Sequence, residues 1–115
     1  LFACSQSTPI RRAVNDSAIA TLSKLDGNIT FKQVDEQNIE VVGKFNKGIL
    51  YNEPDNYFIM IDSAKASFTQ LGITISVPGA SYTATGPGDV TIIFGLELSV
   101  LYKDDTLDSA TITKN

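Results

Sequence analysis

Histidine and tryptophan are absent from the chain, and cysteine occurs once, at Cys4. Without imidazole there is no His-based metal site, no Ser-His-Asp triad and no Cys-His pair. One cysteine makes no internal disulfide. Basic residues are outnumbered, 9 against 13 acidic ones, and the only adjacent basic pair is Arg11-Arg12. The basic stripe that displaces counterions from phosphates is therefore missing, and nucleic acid is not expected as a partner. No apolar run reaches the roughly 18 to 20 residues of a membrane helix. What remains is a chain of 115 residues, 43% hydrophobic and 19% charged. That is enough for one domain with a buried core and too apolar for a disordered chain.

Leu1-Phe2-Ala3-Cys4-Ser5-Gln6-Ser7 resembles the tail of a secretory signal, with small residues at a cleavage position. Arg11-Arg12 then reads as a dibasic processing site. The rival reading, a lipoprotein box with Cys4 lipidated, is poorly served by Phe2, and an arbitrary starting point is the plain third alternative. Asn15-Asp16-Ser17 and Asn28-Ile29-Thr30 are N-glycosylation sequons, making Asn15 and Asn28 candidate acceptors and favouring a secreted, extracellular chain.

Residues 1–16 show no sustained periodicity and read as leader and tail; residues 17–115 read as a single domain of short extended runs. Asn28–Val34 alternates, with Ile29 and Phe31 on one side and Thr30 and Lys32 on the other. Asn38–Phe45 does the same with Ile39, Val41 and Phe45. Asp26-Gly27 supplies a tight hairpin turn before the first of these. Further runs span Tyr57–Ile61, Leu71–Val77, Val90–Phe94, Leu96–Lys103 and Ala110–Thr113. Asn52-Glu53-Pro54-Asp55, Pro78-Gly79 and Gly86-Pro87-Gly88 break them, and Gly95 marks a bulge or bend. Ala18–Leu25 is β-branched enough to favour a strand over a helix, and Asp62–Gln70 is the one short helical stretch. Seven to nine short strands predict an all-β Greek-key sandwich or flattened barrel of about eight antiparallel strands, immunoglobulin-like in its layout.

The carboxylates Asp35-Glu36, Glu53/Asp55 and Asp104-Asp105-Asp108 lack the spacing of a calcium loop and read as solvated turn acids. Gly86-Pro87-Gly88 is a turn, since Pro87 offers no N–H to a phosphate. Tyr51, Tyr57, Tyr82 and Tyr102 either form a surface for sugar or peptide or cover sheet edges.

The order of three segments carries a resemblance: Ala18-Ile19-Ala20-Thr21-Leu22, Gly27-Asn28-Ile29-Thr30-Phe31-Lys32-Gln33, and Ile39-Glu40-Val41-Val42-Gly43-Lys44-Phe45 running on to Gly48-Ile49. Together with Leu98–Leu107 near the other end, they resemble copper/zinc superoxide dismutases over about 60 residues. The resemblance implies a copper site on a Phe-His-Val-His strand completed by a histidine of the closing strand. Laid on this sequence, Phe58-Ile59-Met60-Ile61 puts Ile59 and Ile61 where two imidazoles belong, and Leu101 stands where the closing histidine belongs. Alkyl groups donate nothing to copper or zinc. The expectation is a scaffold without metals, without cofactor and without catalytic residues: not an enzyme.

Alternation in Tyr57–Ile61 puts Phe58 and Met60 on one face and Tyr57, Ile59 and Ile61 on the other. With Phe58 and Met60 in the core, Tyr57, Ile59, Ile61 and Leu101 form an apolar patch on the outer face, a candidate interaction site. Either that patch is exposed, or Asp62–Gln70, with Phe68 and the following Leu71, folds over it. The expected function is a secreted, non-catalytic binding module whose partner is a protein, a second copy of the chain, or a small apolar ligand. The alternative is an extracellular structural or lipid-anchored envelope domain, and a metal-binding dismutase-like protein is a remote third.

Overall fold

The computed structural model describes residues 16–115. The readings placed on the leader, Cys4, Arg11-Arg12 and Asn15 lie outside them. Within them the chain is a β-sandwich of two antiparallel sheets, as the short alternating runs predict.

In chain order the strands are β1 (Ser17–Leu22), β2 (Gly27–Gln33), β3 (Asn38–Phe45), β4 (Tyr57–Ile61), β5 (Ala64–Ser67), β6 (Thr74–Ser76), β7 (Gly79–Pro87), β8 (Glu97–Tyr102), β9 (Asp105–Thr111) and β10 (Thr113–Lys114); one helical turn, α1 (Phe68–Leu71), joins β5 to β6. The larger sheet has the order β10-β1-β2-β3-β7-β6 and the smaller one β9-β8-β4-β5. Ala18, Ala20 and Leu22 of β1, Ile29 and Phe31 of β2, and Leu98 and Val100 of β8 alternate into the space between the sheets and are buried. That period-2 pattern is what seats each strand on the core.

Three local readings are corrected. Residues Val90–Ile92 form a 3-10 turn rather than a strand. The Asp89 carboxylate accepts the backbone N–H of Thr91 at 2.9 Å, and the Val90 N–H is taken by the Gln33 side chain at 2.9 Å. Leu71–Val77 contributes only the short β6, because its first residue belongs to α1. The hairpin between β1 and β2 is closed by a 3-10 turn, Ser23–Leu25, with Asp26 left-handed at φ 49°. Gly27 serves close packing instead, since a Cβ there would strike the Lys44 carbonyl.

The sandwich is closed on one side. There β10 pairs with β1, and Asp108 of β9, buried, accepts the Lys24 N–H at 2.8 Å. One end is closed by aromatics: the Phe68 ring lies 5.3 Å from that of Tyr57 and 6.4 Å from that of Phe45. The Tyr57 hydroxyl accepts the N–H groups of Leu50 and Tyr51 at 3.1 and 3.2 Å, tying the β3–β4 connection over it. On the remaining side, β5 ends the smaller sheet after four residues, and β6 pairs with only Gly79–Ser81 of β7. The inner faces are left partly uncovered there.

A candidate binding site: an apolar pocket between the sheets

The strand expected to carry the site is turned the other way round. Tyr57 and Ile59 of β4 are buried, at 1% and 7% exposure, in the central core. Cross-strand pairing shows why. Tyr57, Ile59 and Ile61 lie opposite Tyr102, Val100 and Leu98, whereas Phe58 and Met60 lie opposite Leu101 and Ser99. Opposed residues share a face, so Phe58, Met60 and Leu101 share the outer one. Because side chains alternate, reading the strand one residue out of step exchanges its two faces. The outward patch of Tyr57, Ile59, Ile61 and Leu101 is therefore corrected: Tyr57, Ile59 and Ile61 point between the sheets. Leu101 points out and is itself buried, at 7% exposure. Residues 62–70 do not fold over that face as a cover; they continue the sheet as β5 and then turn into α1.

Turned inward, Ile59 and Ile61 line a cavity of about 290 Å³. Its floor is Ile29 and Phe31 of β2 and Ile39 and Val41 of β3; its roof is Ile59, Ile61 and Leu98 with Ala64 and Ala66 of β5; Leu71 and Tyr82 complete it. The sequence produces this space by pairing large with small. Ala66 lies opposite Ile59 and Ala64 opposite Ile61, so β5 fills little of the gap under its own edge. Ile39, Val41, Ile61, Leu71 and Tyr82 are only partly buried, which places the mouth at the open side. Lys65 also borders the cavity. Its ammonium, however, sits 4.4 Å from the centre of the Phe58 ring, on the outer face of the sheet. Tyr82 is the one other polar side chain on the lining, and burial raises its phenol above the ordinary value of 10.0.

The metal implied by the sequence resemblance does not fit here. The outward positions of β4 and its neighbour β8 carry Phe58, Met60, Ser99 and Leu101. One thioether, one hydroxyl and two hydrocarbons are not the imidazole set that holds copper with zinc. No three His, Cys, Asp or Glu side chains gather to hold an ion among the described residues.

Other residues singled out in the sequence divide. Tyr51, Tyr57 and Tyr102 do come together, with ring centres 5.1 Å apart for Tyr51–Tyr102 and 4.7 Å for Tyr57–Tyr102. Tyr82 stands apart from them, on the pocket. Asn28 is exposed on the outer face of β2, and the Thr30 hydroxyl of its sequon donates to the Val42 carbonyl at 3.3 Å. Sequence reasoning missed β5 and β7, and with them the pocket: Ala64 and Ala66 give no signal, and nothing ties Tyr82 to a recess until the register of both strands is known. No protein-family model matches the chain, and no curated protein matches it.

Proposed function

We propose that this chain is a non-catalytic binding module that takes a small apolar molecule into the space between its sheets. The carrying observation is the cavity of about 290 Å³, walled by hydrocarbon from both sheets and open at one side. Pockets for small molecules are commonly apolar concavities of roughly 300–1,000 Å³, so this one stands at the small end. An apolar cavity of about 150 Å³ already takes benzene, and a space twice that size takes two fused rings or a chain of eight to ten carbons. The lining supports a non-catalytic reading because it is hydrocarbon apart from the Tyr82 phenol and Lys65, whose ammonium lies over the Phe58 ring on the outer face. A small ligand is preferred to a protein partner because the isoleucines of β4 face a recess rather than a flat exposed surface.

The sandwich is proposed to share the dismutase scaffold. That proposal rests on the order of the sequence segments: β1-β2-β3 are neighbours as in any antiparallel meander, and the inward turn of Ile59 and Ile61 is opposite to the face on which the resemblance puts copper. Secretion belongs to the same reading, with exposed Asn28 as glycan acceptor. Chain secreted from a eukaryotic host should then lose mass on treatment with peptide N-glycosidase.

Naphthalene tests the central claim. Equilibrium dialysis should give one bound molecule per chain, and Ile61→Asp, which places a carboxylate at the partly exposed rim, should remove it while circular dichroism stays that of a folded sheet protein. Absence of uptake by the wild-type chain, or uptake indifferent to Ile61→Asp, overturns the reading.

A further inference from the structure

Resting on that reading, we propose the chemical class of the ligand: a neutral molecule of about naphthalene size bearing one hydrogen-bond acceptor, which the Tyr82 hydroxyl binds. The argument begins with charge. No carboxylate borders the cavity, and its one cation, Lys65, is held by the Phe58 ring on the far face of β5. A charged ligand would have to shed its water against Ile29, Phe31, Val41 and Leu98 without an opposite charge to meet it. Carboxylates and ammonium compounds are thereby disfavoured, fatty acids among them.

The second step concerns the polar group that is present. Tyr82 lies on β7 directly opposite Gly43 of β3, so no side chain from that neighbour stands between its ring and the recess. Among the described residues its hydroxyl has no hydrogen-bond partner, and its ring borders the cavity. Burial favours the protonated phenol, so the group remains a donor well above neutral pH. A donor beside an otherwise hydrocarbon recess selects a ligand with a carbonyl or ether oxygen, which completes the hydrogen bond on binding.

Three probes of nearly equal shape test this: 2-acetylnaphthalene, 2-ethylnaphthalene and 2-naphthoate, titrated against the whole chain and against Tyr82→Phe. The ketone should bind roughly 2- to 10-fold more tightly than the hydrocarbon, as one neutral hydrogen bond warrants. The carboxylate should bind most weakly, and Tyr82→Phe should erase the advantage of the ketone over the hydrocarbon. Thermal unfolding of Tyr82→Phe confirms that the variant is folded. Equal binding of ketone and hydrocarbon to the wild type, an advantage that survives Tyr82→Phe, or tightest binding of naphthoate overturns the ligand class and leaves the pocket reading standing. If none of the three binds the wild type, both fall.

Discussion

At the scale of single residues, two polar groups carry more than their size suggests. Gln33 is fully buried. Its side-chain nitrogen donates to the carbonyls of Asp35, Asn38 and Gly88 at 2.8, 3.1 and 3.1 Å, and its oxygen accepts from Val90. One side chain thus satisfies the β2–β3 turn and the entrance to the 3-10 turn together. Gln33→Leu should lower stability by about 1–3 kcal/mol, since it leaves the buried Val90 N–H unpaired and takes a donor from the part-buried Asp35 and Gly88 carbonyls; urea unfolding measures it. Glu53 and Tyr102 form the second device. The Tyr102 hydroxyl donates to the Glu53 carboxylate at 2.9 Å, and the Asn56 amide donates to the same oxygen at 2.7 Å. The hydrogen bond to Glu53 pushes the Tyr102 phenol up to about 12, and the bonds from Asn56 and Tyr102 lower Glu53 below its ordinary 4.5. A raised phenol stabilises the fold fully below its ordinary value of 10.0, and that contribution is lost as pH rises through about 12. A lowered carboxylate contributes above 4.5 and is lost as pH falls through its depressed value. Absorbance at 295 nm should therefore show a phenol ionising near pH 12, and Glu53→Gln should move that step to lower pH.

Among the elements, α1 shows how four residues can be a helix at all. Ser67 accepts the Gln70 N–H at 3.0 Å, and the Gln70 side chain accepts the Ser67 N–H at 2.9 Å, closing a reciprocal cap. Below it Phe68 is wholly buried and anchors the turn to β4. Ser67→Ala should cost about 0.5–2 kcal/mol, visible in the urea midpoint. Elements of this kind mark the limit of what the sequence discloses. The strands β2 and β3 are legible because Ile29, Phe31, Val41 and Phe45 alternate with polar residues, so burial writes itself into the pattern. By contrast β7 alternates Tyr82 and Ala84 with Ser81, Thr83 and Thr85, a contrast too weak to register because its inner face is only half covered. Val90–Phe94 fails in the opposite sense: it is apolar enough for a strand, yet the Asp89 cap and the Gln33 acceptor bend it into a turn. The faces of Tyr57–Ile61 were illegible for a different reason. All five of its residues are apolar, so alternation specifies two faces without saying which is inner. Pairing with β8 decides it, and pairing is a long-range fact.

At the scale of the whole molecule, the two sides of the sandwich differ, and packing theory gives that difference a sign. On the closed side, Ala18 and Ala20 of β1 are wholly buried against the core, and a larger side chain has no room without displacing its neighbours. Overpacking of that kind costs about 1–3 kcal/mol. On the open side, Ala66 of β5 lies opposite Ile59 and borders the cavity of about 290 Å³, so the same substitution adds carbon to existing space. Three further carbons removed from water there add stability, in the range of about 0.5–2 kcal/mol usual for filling a void. Ala20→Leu and Ala66→Leu should therefore shift the urea midpoint in opposite directions. The stabilised Ala66→Leu chain should also lose naphthalene, because leucine occupies the volume the ligand needs. A stability gain at the expense of binding would mean that the space is maintained for an occupant rather than left by poor packing. If Ala66→Leu destabilised the fold as much as Ala20→Leu, the open side would be packed like the closed one and there would be no room for a ligand to enter.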